Sequence, residues 1–373
     1  MRNSLSWLGL TTRGKMVLCI HKTPADYPSM PGLSRQDTQL LKGIAICLML
    51  WRHLFATGTS FLGFTGYLGK ICVPVFLLLS GYGLTIQFQK HSADLNSTVR
   101  FELRRFLTFY INYWSLFIPA ILIGSCFGRT PAVVYPADTT MGLFKWIGLD
   151  FFAVAYWNSY CWAGWFNQLI LFFYFIFPLL LFLCKKFDFL FVAIATAICV
   201  WIKAVPGHPL YYPHLEEVYL HGPAFLFGII LALHPRCFFL SRHKGTKEII
   251  AATISVFFCV FLLICCYFAA LPPNDLVLQF YSLVALALIF SAIHTMGRLP
   301  LFQKVFCFLG HHSMNIFLLH TLFIPIGAKF HRIVPMPFLI VLGLSLACSL
   351  LLEAIKTHIG IYAFLKDLRM RLG

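Results

Sequence analysis

Apolar runs about twenty residues long recur along the whole chain, and they constrain it more than any motif does. A helix needs roughly 20 consecutive apolar residues to cross a bilayer. Ten such segments are predicted, at 39–57, 69–88, 105–127, 165–184, 188–204, 218–234, 249–270, 275–295, 312–329 and 336–355. The runs are continuous rather than alternating, which predicts helices and not a barrel. Composition agrees: 60% of the 373 residues are hydrophobic and 11% charged, against about a quarter charged in soluble domains. The expected fold class is all-α, a polytopic integral membrane protein of about ten transmembrane helices.

Charge orients these helices. With both termini in the cytoplasm, 22 of the 29 Lys and Arg fall on the cytoplasmic side. The six outside are Lys70, Arg129, Lys145, Lys203, Lys329 and Arg332, and Arg52 lies within the first span. That is the bias of the positive-inside rule. The formal net charge of +16 then calls for anionic lipid headgroups as partners and not for nucleic acid. Residues 1–36 read as a cytoplasmic tail, 37–356 as one membrane domain, and 357–373 as a basic cytoplasmic tail. The thirteen cysteines form no C-x-x-C pair and read as small hydrophobes within spans. No metal site is expected.

Ionisable residues inside a span are costly, so each needs a partner or a purpose. Acids are nearly absent there: Glu353, near the cytoplasmic end of the last span, is the main exception. A transporter coupled to protons or cations would keep carboxylates near the midplane. What lies at depth is Arg52, His53, His294 and His320. On a helix, Lys42 and His53 stand ~1100° and ~16.5 Å apart and share a face. They fit a snorkelling lysine with a boundary histidine, or a cytoplasmic anion site with a buried base; spacing alone does not choose. His320, with Ser313 and Asn315 nearby, reads as a residue of packing or interhelical bonding. His208 and His214 read as solvated.

Several stretches together resemble the acyltransferase-3 family of integral-membrane acyltransferases. Residues 39–53 are similar to its first helix, in which a basic residue precedes a histidine by eleven positions, here Lys42 and His53. VPVFLLLSGYGL (Val73 to Leu84), RRFLTFYINYW (Arg104 to Trp114) and WFNQLILFFYFIFPLL (Trp165 to Leu180) resemble the next three helices. HGPAFLFGIILAL (His221 to Leu233) and LGHHSMNIFLLH (Leu309 to His320) follow in order. The resemblance spans roughly residues 37–355. It departs at Thr108, where a second arginine is common, and at Asn167 and Gln168, where one branch carries glutamate. No triad is expected from the visible acids.

The resemblance implies transfer of an acyl group, usually acetyl, from cytoplasmic acyl-CoA to a hydroxyl of a glycan or other surface molecule. It makes His53 the catalytic base. Lys42, Arg104 and Arg105 become the donor-binding cations, together with Ser80 and Gly81. Arg52 is then either an oxyanion contact or a headgroup contact. Gly81 also suits close helix packing. The aromatic-rich outer segment 128–164 suits a sugar acceptor or an interfacial belt; Asn158 and Trp162 within it, Trp165 just beyond it and Tyr174 in the fourth span are the acceptor-binding candidates. Acetyl-CoA is expected as co-substrate, with no bound cofactor. The acceptor is expected to be a cell-envelope polysaccharide or its lipid-linked precursor, at a bacterial inner membrane. The competing reading is a non-catalytic permease or flippase for a lipid-linked sugar, using the same basic cavity.

Overall fold

The structure, a computed structural model, describes residues 33–55, 66, 69–90, 94–205, 207–212, 215–235, 299–330 and 334–372. The expected spans at 249–270 and 275–295, the N-terminal tail through residue 32, His214 and His294 lie outside the described residues. Among the described residues the chain is entirely helical. In order come α1 (Arg35–Phe55), a 3-10 turn (Gly69–Ile71), α2 (Cys72–Phe88), α3 (Leu95–Cys126), α4 (Pro131–Val134) and α5 (Thr140–Phe151). Then follow α6 (Trp165–Ala204), α7 (Glu216–Leu233), α8 (Pro300–His311), α9 (Ser313–Ala328), α10 (Met336–His358) and α11 (Ile361–Leu372).

Five of these helical segments are long and apolar enough to cross a membrane, and the α8–α9 pair, bent by 75°, makes a sixth. The chain is a membrane protein. Side chains such as Phe175, Leu179 and Phe182 stand exposed on α6, as lipid-facing positions do. The first expected span, α1, is helical but is not among the five, because Lys42, Arg52 and His53 interrupt its apolar surface.

Local chemistry explains several boundaries. Ser34 and Asp37 cap α1 reciprocally: the Ser34 backbone N–H donates to the Asp37 carboxylate at 3.0 Å, and the Asp37 N–H donates to Ser34 Oγ at 3.1 Å. This is the geometry of a capping box. Asp94 caps α3 by accepting from the Ser97 N–H, and Thr139 caps α5 by accepting from the Gly142 N–H.

The two expected spans at 165–184 and 188–204 are continuous in α6, a 40-residue element. A straight helix of that length would be about 60 Å long. Yet both of its ends meet the start of α7: the Trp165 ring lies 6.3 Å from that of His221, and Lys203 ion-pairs with Glu216. The direction changes at Asp188, whose φ of 52° and ψ of −136° are non-helical. Its carboxylate meets His234 Nε2 at 2.8 Å, at the opposite end of α7. α6 is therefore a helical hairpin, and α7 lies along both arms.

Glycines set two close crossings. A Cβ on Gly81 of α2 would stand 2.3 Å from the Phe225 carbonyl oxygen of α7, and one on Gly228 of α7 would stand 2.1 Å from the Leu78 carbonyl oxygen. Gly43 of α1 and Gly310 of α8 stand in the same relation to Phe306 and Gln39. Small residues allow such backbone contact between membrane helices. Gly81→Ala is expected to cost about 1–3 kcal/mol through overpacking, read as a lower thermal unfolding midpoint of the detergent-purified protein.

Three other elements differ from the sequence expectations. Residues 128–164 are not a plain loop; they contain α4, α5 and two 3-10 turns. Residues 300–311, expected as a cytoplasmic connection, form α8, whose twelve residues are too few to span by themselves. The basic C-terminal tail is largely the helix α11, with Arg371 paired to Asp367 at 2.8 Å.

Candidate functional site

Two clusters lie at opposite ends of α1. At the end carrying Lys42, the charges that act on that lysine are Arg105 and Arg35. Arg105 donates to the Gln87 side chain. The guanidinium carbons of Arg104 and Arg105 stand 5.6 and 5.4 Å from the centre of the Phe101 ring, within cation–π range. The expected donor-binding cations are thus neighbours, although they come from α1 and α3. Compact positive charge of this kind suits phosphate.

At the other end, His53 stacks on His320 with ring centroids 5.1 Å apart and meets the edge of Trp162 at 4.5 Å. His320 is fully buried, and its Nδ1 lies 2.7 Å from the Phe317 carbonyl. A carbonyl only accepts, so Nδ1 carries the proton and Nε2 presents a lone pair. That Nε2 is buried and has no hydrogen-bond partner among the described residues. Phe317, Phe76 and Phe166 form an aromatic wall behind the ring, with mutual centroid distances of 5.1 to 6.2 Å. His320 is therefore packed, as its sequence context suggested, and it is also the direct neighbour of His53.

The other candidates divide. Ser80 donates its hydroxyl to the Phe76 carbonyl at 2.8 Å, a bond within its own helix, and Gly81 is taken up by the α2–α7 crossing. Arg52 Cβ lies at the close approach of α1 to Gly69. Trp162 touches the histidines. Trp165 is buried, stacking near His221 and packing on Trp157 at 5.2 Å. Asn158 is exposed. Tyr174 lies elsewhere, among the charges of Arg105 and Glu102, which puts it with the donor-side cluster. His208, expected to be solvated, is buried against Trp201 at 4.2 Å and accepts the Leu210 N–H; the apolar indole face excludes the water that the sequence suggested.

One residue escaped the sequence reading. Asp150, at the end of α5, is buried and accepts four hydrogen bonds: from Tyr113 Oη at 3.0 Å, Tyr135 Oη at 2.8 Å, Ser159 Oγ at 2.7 Å and the Tyr160 N–H at 2.6 Å. Burial pushes its carboxyl above the ordinary range, while the four donors pull the other way. This hub fixes residues 159 and 160, two positions before Trp162, against α3. Cys161, between Tyr160 and Trp162, is not a nucleophile: burial pushes its thiol up to about 12, so it stays protonated at neutral pH. Nothing in the sequence brought Tyr113 to Asp150.

Arg129 ties the same region to α9. Its Nη1 donates to the Thr321 carbonyl at 3.1 Å and its Nη2 to the Tyr160 carbonyl at 2.6 Å. On α10, Glu353 accepts from Asn315 Nδ2 at 2.8 Å and pairs with Lys356 at 3.1 Å, so the charge of the buried Lys356 is compensated. Among the described residues no group of three or more His, Cys, Asp or Glu could hold a metal ion.

The described membrane helices thus carry a basic cluster on one side and stacked imidazoles on the other. The family model of an acyltransferase domain, acyltransferase-3, matches residues 36–354, and the chain belongs to that family. No curated protein and no solved structure matches the chain.

Proposed function

We propose that this acyltransferase moves an acetyl group from cytoplasmic acetyl-CoA to a hydroxyl of a cell-envelope polysaccharide or its lipid-linked precursor. The proposal includes ten transmembrane helices, cytoplasmic termini and a bacterial inner membrane. Lys42, Arg104 and Arg105 hold the CoA phosphates at the cytoplasmic mouth, and the pantetheine arm carries the thioester along α1 towards His53. His53 takes the proton from the acceptor hydroxyl as its oxygen attacks the thioester carbonyl carbon. The C–S bond then breaks, and the departing thiolate recovers that proton from the imidazolium. His320, held in one tautomer by Phe317, orients the His53 ring by stacking, and Trp162 closes the outer side. General base catalysis by a positioned imidazole contributes about 10²–10⁴-fold.

The contact of His53 with both His320 and Trp162 is the observation that supports this reading most. It gathers imidazoles from α1 and α9 under an aromatic residue of the outer segment, where a sugar would arrive. The test incubates the purified protein with acetyl-labelled acetyl-CoA and cell-envelope glycan. Label in the glycan is the expected result. No transfer to any envelope acceptor, with retained translocation of a lipid-linked sugar, would replace the transferase by a flippase.

A further inference from the structure

Of the six Lys and Arg that the charge pattern places outside, Lys203 is paired with Glu216. Two others converge. Arg129 and Lys329 line one cavity of about 220 Å³ together with Gly124, Phe127, Leu322 and Ile326. It lies where the end of α3 meets the end of α9. Neither cation is ion-paired among the described residues. A water occupies about 30 Å³ of liquid, so the space admits a group much larger than a single solvent molecule.

The two cations differ in a useful way. Arg129 is fixed: its bonds to Thr321 and Tyr160 use two of five N–H donors, and its guanidinium stands 5.5 Å from the centre of the Tyr160 ring. Its Nε is buried and has no hydrogen-bond partner among the described residues. Lys329 is exposed and can swing. The remaining wall is apolar, and Phe127 is 65% exposed beside it. A rigid guanidinium, a mobile ammonium and a hydrocarbon wall at a helix end match a phosphoryl group that carries a long apolar chain. A free sugar would leave both charges uncompensated.

We propose that this cavity binds the phosphoryl group of an amphiphile, with its hydrocarbon along Phe127, Leu322 and Ile326. Resting on the transferase reading above, the ligand is the lipid phosphate that carries the glycan acceptor. Arg129 bonds to the residue after His320 and to the residue two before Trp162, so a phosphate held there places the attached sugar beside His53. Membrane phospholipid headgroups offer the same chemistry, and the experiment separates the two sources.

The full-length protein in neutral detergent is titrated by native mass spectrometry with a long-chain polyprenyl phosphate, the phosphate-free polyprenol and phosphatidylglycerol. The polyprenyl phosphate is expected to bind about tenfold tighter than the polyprenol, and Lys329→Glu to remove that preference. Lys145→Glu, exposed on α5 and outside the cavity, is expected to leave it unchanged. Lys329 is exposed, so its replacement does not threaten folding. Equal charge-dependent binding of phosphatidylglycerol keeps the phosphoryl site and overturns its acceptor-carrier role. Equal binding of polyprenol and polyprenyl phosphate, or no effect of Lys329→Glu, overturns the site. Acetyl transfer is scored separately: transfer without a phosphate preference sinks the cavity alone, and the preference without transfer sinks the transferase alone.

Discussion

Replacing His53 with alanine is expected to lower acetyl transfer about 10²–10⁴-fold while leaving the protein folded. The fold of α1 does not depend on the imidazole. Leu40, Leu41, Ile46, Met49 and Leu50 are its buried contacts, and Gly43 sets its crossing with α8. The ring itself is only half-buried. Transfer of labelled acetyl by the wild type, His53→Ala and His320→Gln decides the matter, with unfolding midpoints measured alongside. His320→Gln is expected to retain part of the activity, because it removes an orienting neighbour and not the base. Full activity of His53→Ala beside an inactive His320→Gln would move the base to His320.

Asp150→Ala is expected to lower stability by on the order of 3 kcal/mol, through three donors left without their acceptor in a buried site. One of these is the Tyr135 hydroxyl, just after α4, whereas the Tyr113 hydroxyl keeps the carbonyl of residue 150 at 2.8 Å. The others hold Ser159 and Tyr160. Transfer is expected to fall as well, since the backbone that presents Trp162 to His53 loses its anchor. Asp138→Asn, exposed on the same segment, is the control and is expected to change neither quantity. A destabilised Asp150→Ala that transfers acetyl at the wild-type rate would show that Trp162 is held by other contacts.

Helices, their apolar lengths and a membrane location are legible in the sequence because they are local properties. Each span is read from some twenty neighbours, and the 3.6-residue period needs no partner. The same reading missed α8, whose twelve residues are too few to span; the reversal at Asp188 falls at the boundary between the two spans that it read separately. It also rated His208 as solvated, because the loop after α6 folds back on Trp201, seven residues earlier, in a way that no periodicity shows.

Half of the candidate site was legible in the same way. Lys42 and His53 lie on one helix, and a fixed rise per residue places them about 16.5 Å apart along it. His320 and Trp162 are far from His53 in the chain, and no periodicity links them. Their meeting follows from how α1, α9 and the outer segment pack, with Arg129 and Asp150 holding the last two in place. The sequence by itself determined an all-helical membrane chain with a basic residue and a histidine on one face of the first helix. Only the tertiary structure decided what stands beside that histidine, because side-chain neighbours across distant segments are set by packing and hydrogen bonding that no local pattern encodes.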